Sequence, residues 1–101
     1  MNKLTRDGKV AIIYSPGFGA GWSTWNDEKE MIFDPILATM ILGEASPEEI
    51  FRVAKERYPN GFVKGIGSAT VDWLEEGTTF HISEYDGHES IFLSEHLMIT
   101  A

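Results

Sequence analysis

The chain has 101 residues, a length that fits one domain spanning residues 1–101. Sixteen aspartates and glutamates against eight lysines and arginines give a net charge of −8, which argues against general nucleic-acid binding, because such binding needs basic residues to displace counterions. Cysteine is absent, so disulfides, thiolate catalysis and cysteine-based zinc sites are excluded, and the composition fits a reducing cytoplasm.

No targeting or membrane-spanning segment is predicted. The N-terminal residues MNKLTRDGKV lack the apolar core of a signal peptide. The longest apolar region, Met31–Leu42, is interrupted by Asp34 and Pro35 and is too short to cross a bilayer. We therefore predict a cytoplasmic protein that does not bind a membrane.

The N-terminal part of the chain predicts a buried strand followed by an irregular loop. Residues 9–15 (KVAIIYS) are nearly continuous in apolar and β-branched types, which indicates a strand that is buried on both faces and therefore central in its sheet. Pro16 ends this strand. Residues 16–27 then contain three glycines, two tryptophans and a Ser-Thr pair, a composition typical of a loop.

Two helices are predicted in the middle of the chain. An N-cap aspartate followed by proline begins a helix over residues 34–42. The segment SPEE begins a second helix over residues 46–58, because it supplies an N-cap serine, a proline at the first helical position and a capping box. The short connection at 43–45 predicts that the two helices form an αα-hairpin.

The C-terminal part predicts strands. Alternating apolar residues indicate strands over residues 69–74, 79–85 and 88–93, and residues 96–100 (HLMIT) are compatible with a last strand. We expect these strands and the first one to form a single, mostly antiparallel sheet that the αα-hairpin covers on one face. The predicted class is therefore α+β.

The Asp-Gly pair at 86–87 predicts a two-residue type I′ hairpin turn. Such a turn pairs Tyr85 with His88 and Glu84 with Glu89, and it places apolar residues opposite apolar ones further along the strands. A slip by one residue would destroy this match. The hairpin and its register are therefore specific predictions.

The segment Ser15–Trp25 (SPGFGAGWSTW) is the most distinctive part of the sequence. Glycines at 17, 19 and 21 allow backbone N–H groups to approach a ligand, as in loops that bind phosphates. The segment is nevertheless neither a dinucleotide-binding fingerprint nor a P-loop, because Trp22 replaces the required third glycine and no G-K-[ST] follows. Two interpretations remain open: the tryptophans fill the core of a tight loop, or they face a ligand.

Paired carboxylates are a second candidate for chemistry. In the predicted register Glu84 lies opposite Glu89 on the core-facing side of the hairpin, with Asp86 in the turn. Like charges in this arrangement are unfavourable unless they are hydrated or bridged by a cation. We favour the first alternative, in which the hairpin tip extends into water and both groups are hydrated.

No catalytic or metal-binding residues are predicted. The histidines His81, His88 and His96 are too scattered to define a metal site. Ser23 lies in the glycine-rich loop, but nothing in the sequence supplies a base to activate it. We therefore expect a protein without enzymatic activity and without a cofactor.

Three segments together resemble a family of short, largely uncharacterised proteins of tailed bacteriophages and their hosts. These segments are YSPGFGAGWSTW (Tyr14–Trp25), FDP (Phe33–Pro35) and GTTFHISEYDG (Gly77–Gly87). In that family a PGxGAGWSTW loop is followed by a strand pair ending in EYDG. The resemblance implies a phage origin and the cytoplasm of the host cell, and it draws attention to Pro16–Trp25 and Glu84–Gly87.

The leading hypothesis is a non-enzymatic phage accessory protein that binds a small ligand, with a nucleotide or nucleotide-derived host signal as the first candidate. Tryptophan side chains would stack on the ligand, loop N–H groups would donate to it, and a carboxylate of the turn would accept from it. The alternative is an acidic inhibitor that binds a host protein. A homo-oligomer is compatible with both. The predicted ligand-binding residues are Pro16, Gly17, Phe18, Gly19, Gly21, Trp22, Ser23, Trp25, Glu84, Tyr85 and Asp86.

Overall fold

The computed structural model describes residues 2–93 and 99–101. The α+β class is confirmed. The α-helices are α1 (Glu30–Phe33), α2 (Pro35–Leu42) and α3 (Pro47–Arg57), and 3₁₀-helices span Ser23–Trp25 and Lys64–Ser68. The strands are β1 (Thr5–Arg6), β2 (Lys9–Tyr14), β3 (Thr70–Glu75), β4 (Thr79–Tyr85), β5 (His88–Leu93) and β6 (Ile99–Thr100).

The strands form two antiparallel three-stranded sheets, so the expectation of a single sheet was wrong. The first sheet has the order β1-β2-β3 and the second has the order β5-β4-β6. Between β3 and β4 the chain turns at Gly77, whose φ is 91° and whose N–H donates to the carbonyl of Ala101 at 2.8 Å. This turn passes the chain from one sheet to the other. Of the predicted last strand, Ile99–Thr100 pairs with β4, and residues 96–98 lie outside the described residues.

Strand β2 lies between two hydrophobic clusters, as its uninterrupted apolar run predicts. Ala11 and Ile13 pack in a cluster with Trp22 and residues of α2 and α3. Val10 and Ile12 pack on the opposite side in a cluster that contains Phe80 of β4. The first sheet is therefore a middle layer, with the α2–α3 hairpin on one face and the second sheet on the other.

Side-chain caps begin both long helices at the predicted positions. The Asp34 carboxylate accepts from the N–H groups of Ile36 and Leu37 at 3.0 and 3.1 Å, and the Ser46 hydroxyl accepts from the Glu49 N–H at 3.2 Å. None of the helices in the described part of the chain combines the length and hydropathy needed to cross a membrane.

The Asp34 carboxylate also joins the beginning of α2 to the end of α3. Its second oxygen accepts from Arg57 Nε and from the Tyr58 hydroxyl, both at 2.7 Å. Burial, followed by this hydrogen bond, raises the pKa of Tyr58. The phenol therefore stays protonated and keeps donating to Asp34 throughout the physiological pH range.

Two Asp-Gly turns have the same backbone geometry. In the predicted turn, φ is 50° at Asp86 and 85° at Gly87; between β1 and β2, φ is 53° at Asp7 and 77° at Gly8. Positive φ at both central residues is the signature of a type I′ turn. All the β4–β5 pairs have the predicted register. The β1–β2 hairpin was not predicted, because β1 is too short to show alternation.

Candidate functional site

The glycine-rich loop and the β4–β5 turn are in direct contact. The Gly19 N–H donates to the carbonyl of Asp86 at 2.7 Å. The Phe18 ring stacks on the His88 ring with a centroid separation of 4.8 Å. Gly87 lies so close to the loop that a Cβ atom there would be 2.9 Å from Ala20 Cα and would also meet the Ala20 nitrogen. The two segments that the sequence singled out therefore form one structural unit.

The Glu89 side chain holds this unit together from inside. It is 1% exposed. Its Oε1 accepts from the Ser15 N–H at 2.8 Å, and its Oε2 accepts from the N–H groups of Trp22 and Thr24 at 2.8 and 3.0 Å and from the Thr24 hydroxyl at 2.6 Å. The preferred prediction of a hydrated pair was wrong for Glu89, because donors of the loop replace water around its carboxylate.

The loop thus resembles an anion-binding cradle whose anion belongs to the protein itself. Successive N–H groups that converge on one site favour a negative charge there, and the Glu89 carboxylate occupies that position. In addition, the Glu89 N–H donates to the carbonyl of Ser15 at 2.7 Å, which links the end of β2 to β5 and hence one sheet to the other. The loop N–H groups of Ser15, Trp22 and Thr24 are therefore used internally.

The two tryptophans of the loop have different roles. Trp22 is completely buried, donates from Nε1 to the carbonyl of Met31 at 2.6 Å, and meets the edge of Tyr58. The predicted stacking of Trp22 on a ligand is therefore wrong, because neither face of the indole is accessible. Trp25 is 38% exposed and packs against Phe62 with ring centroids 5.2 Å apart.

Glu84 stays near the surface and accepts two hydrogen bonds at Oε2. The donors are the Gly87 N–H at 2.8 Å and Trp25 Nε1 at 3.1 Å. The Gly87 hydrogen bond, followed by that of Trp25, lowers the pKa of Glu84. Because the pKa is lowered, the ionised Glu84 carboxylate stabilises the folded state. This stabilisation is fully present at pH values above the ordinary glutamate pKa, and it is lost as the pH falls through the lowered pKa. The tip keeps this negative charge at neutral pH.

The remaining predicted site residues divide between the surface and the interior. Phe18 and Tyr85 are 70% and 78% exposed, and Gly19 and Asp86 are exposed beside them. Other members of the predicted site are partly or fully covered, namely Pro16, Gly17, Gly21 and Ser23. The structure therefore assembles a smaller accessible surface than the sequence predicted.

Sequence reasoning missed several residues that position the loop. The Ser15 hydroxyl forms a 2.8 Å hydrogen bond with the Ser68 hydroxyl, and a Cβ atom on Gly65 would lie 2.6 Å from the Gly21 carbonyl carbon. Neither contact has a local sequence signal. For Glu89 a signal existed, because the predicted register places an acid on the core-facing side of the hairpin.

Two cavities lie next to this unit. One has a volume of about 310 Å³, and Ser23, Ile32, Ile82 and Ile99 contribute to its lining. The other, of about 260 Å³, is lined partly by Trp25. Among residues 2–93 and 99–101, no group of three or more histidine, aspartate or glutamate side chains is placed to hold a metal ion.

Comparison with known proteins gave no similar protein: no protein-family model, no curated protein and no solved structure matched the chain. The proposals for its function therefore depend on the geometry of the loop and the hairpin tip.

Proposed function

We propose that the chain is a protein-binding module that recognises its partner through an aromatic tip formed by Phe18, Tyr85 and His88. The observation that carries the proposal is the exposure of Phe18 and Tyr85, at 70% and 78%, on a loop and a turn that contact each other. Tyr85 is the cross-strand neighbour of His88, on which Phe18 stacks. Exposed clusters of large aromatic residues are typical of interaction sites.

The support beneath the tip strengthens this proposal. Glu89 fixes the loop through four hydrogen bonds, and Gly19 is bonded to the turn. A surface that is already ordered loses less conformational entropy on binding, so more of the contact energy appears as affinity. Rigid aromatic side chains add contact area at a low entropic cost.

The shape of the tip favours a macromolecular partner. Small-molecule sites are concave and bury most of the ligand, whereas side chains that are 70% and 78% exposed project from the surface. A partner protein can supply the pocket that encloses such rings. This geometry favours the protein-binding alternative over a nucleotide held by the glycines.

The proposal is tested by replacing both exposed rings, as Phe18→Ser and Tyr85→Ser together, and by capturing partners from a host lysate. We expect recovery of a specific partner to fall at least about tenfold, since two interface hot spots are each worth more than about 1 kcal/mol. The matched control is Phe51→Ser, which removes a 44% exposed ring on α3. Equal recovery by the double variant and the wild type would refute the proposal.

A small-ligand function is a second candidate, because Trp25 is partly exposed and lines the cavity of about 260 Å³. We propose that a flat ligand, with a nucleotide as the first candidate, would stack on this indole. Nucleotides and cyclic dinucleotides should then raise the melting temperature of the wild type and leave that of Trp25→Leu unchanged, since a ligand stabilises only the state that binds it. No shift at millimolar concentrations would eliminate this candidate.

A further inference from the structure

Charge is distributed unevenly between the two ends of β2. Residues 10–28 and 79–93, which include the loop and the hairpin, contain no lysine or arginine but carry two and three carboxylates respectively. Lys3, Arg6 and Lys9, in contrast, lie at the N-terminus. Lys9 begins β2 and pairs with Arg6, and the loop follows the last residue of β2, so about 20 Å of extended strand separates Lys9 and Arg6 from the start of the loop.

Two carboxylates of the hairpin tip remain accessible. Glu84 and Asp86 are both exposed, whereas Glu89 is buried and fully occupied by the loop. Asp86 lies in the turn between Tyr85 and Gly87, and its carbonyl accepts from Gly19. The tip therefore combines rings and negative charge, without a cation from the two segments that build it.

This combination matches one kind of side chain better than others. An arginine guanidinium is planar, stacks on aromatic faces, and pairs with a carboxylate through two parallel hydrogen bonds. A lysine ammonium also pairs with carboxylates, but it has no flat face for stacking. The net charge of −8 would further accelerate the approach of a basic partner.

We infer that the partner is a basic protein that presents an arginine to this tip, with the guanidinium against Phe18 or Tyr85 and paired with Asp86. The inference rests on the proposed function, because it specifies which protein chemistry the aromatic tip recognises. The general hypothesis of an acidic protein that binds a basic one is thereby reduced to a specific contact, in which Phe18 or Tyr85 and Asp86 meet an arginine of the partner.

A second copy of this chain fits the tip less well. All three arginines of the chain are already engaged: Arg6 lies over the Trp73 ring at 5.0 Å, Arg52 pairs with Glu49 and Glu56, and Arg57 pairs with Asp34. Lys3 lies 4.4 Å from the centroid of Phe33 and donates to the carbonyl of Thr100. Two copies also repel each other, since each carries a charge of −8. We therefore assign the tip to a different protein.

The test selects peptides from a random display library on the wild type and discards those that also bind the Phe18→Ser, Tyr85→Ser double variant. Synthetic copies of the remaining peptides are then measured with arginine replaced by lysine or glutamine. We expect arginine in the selected peptides, a loss of about tenfold or more with glutamine, and a smaller loss with lysine. Raising the ionic strength from about 0.1 M to about 1 M should weaken binding, because it shortens the screening length from about 10 to about 3 Å.

Asp86→Asn tests the carboxylate itself, since asparagine tolerates the positive φ of this turn position. It should weaken binding of the arginine peptide several-fold, whereas Asp7→Asn, at the same position of the other type I′ turn, should leave affinity unchanged.

Tip-dependent peptides without cations would overturn the inference and leave the proposed function standing. An absence of tip-dependent peptides, or self-association that the double variant abolishes, would overturn the inference as well; only unchanged partner capture by the double variant refutes the proposed function.

Discussion

Replacing Glu89 with alanine should lower the free energy of unfolding by about 4 kcal/mol, and replacing it with glutamine should lower it by about 2 kcal/mol. The alanine variant leaves the buried N–H groups of Ser15 and Trp22 and the partly buried N–H group of Thr24 without an acceptor, and an unsatisfied buried donor costs about 1–3 kcal/mol. Glutamine keeps one carbonyl oxygen as an acceptor, but its amide N–H₂ takes the place of the other oxygen. A donor of the side chain then faces a donor of the loop. Because the free energy of unfolding of a small domain is only about 5–15 kcal/mol, the alanine variant should be close to unfolding.

Urea unfolding followed by tryptophan fluorescence measures this effect. A shift of the midpoint gives the change in stability when the dependence of the free energy of unfolding on urea concentration is the same in both proteins. The control is Glu76→Ala, since Glu76 is exposed and its loss should change stability by less than about 0.5 kcal/mol. Formate should raise the melting temperature of Glu89→Ala more than that of the wild type, because it can enter the vacated cradle. If the glutamine variant is as stable as the wild type, the loop does not depend on an internal anion.

Gly87→Ala should lower the free energy of unfolding by about 3 kcal/mol, and Gly8→Ala by about 1 kcal/mol. Both glycines occupy the second central position of a type I′ turn, with φ values of 85° and 77°, so each substitution introduces the same backbone strain. At Gly8 the new methyl group meets no atom within 4 Å, whereas at Gly87 it overlaps the backbone of Ala20. The difference between the two variants therefore isolates the contact between the loop and the hairpin tip.

The same unfolding assay measures both variants, and amide chemical shifts show where the structure changes. In Gly87→Ala we expect the largest shifts at Gly19 and Ala20, because the loop must move away from the turn. In Gly8→Ala the shifts should stay within the β1–β2 hairpin. Equal losses of stability in the two variants would contradict the close packing of the loop on the tip.

The local features of the fold could be read from the sequence because their causes are local. The β4–β5 register follows from the Asp-Gly turn and from alternation with a period of two residues, and the helix starts follow from Asp34 and Ser46 as caps. Likewise, the run from Val10 to Ile13 has no polar face, and all of its side chains are buried. Each of these predictions required only neighbouring residues.

The division into two sheets could not be read from the sequence in this way. Strands β3 and β4 alternate as members of one meander would, but β3 pairs with β2 and β4 pairs with β5 and β6. Alternation identifies the buried face of a strand and says nothing about which strand lies beside it. Pairing is decided by the packing of both faces of β2, which involves residues from the whole chain.

The sequence by itself determined that Ser15–Trp25 is a special loop, that an Asp-Gly hairpin follows later, and that neither contains a familiar phosphate or nucleophile motif. Only the tertiary structure decided what the loop does with its tryptophans and its N–H groups. Trp22 is buried and Trp25 is partly exposed because Glu89, more than sixty residues away in the chain, fixes the loop backbone between them. Contacts over such separations depend on the folded arrangement of both sheets, for which a sequence pattern gives no local signal.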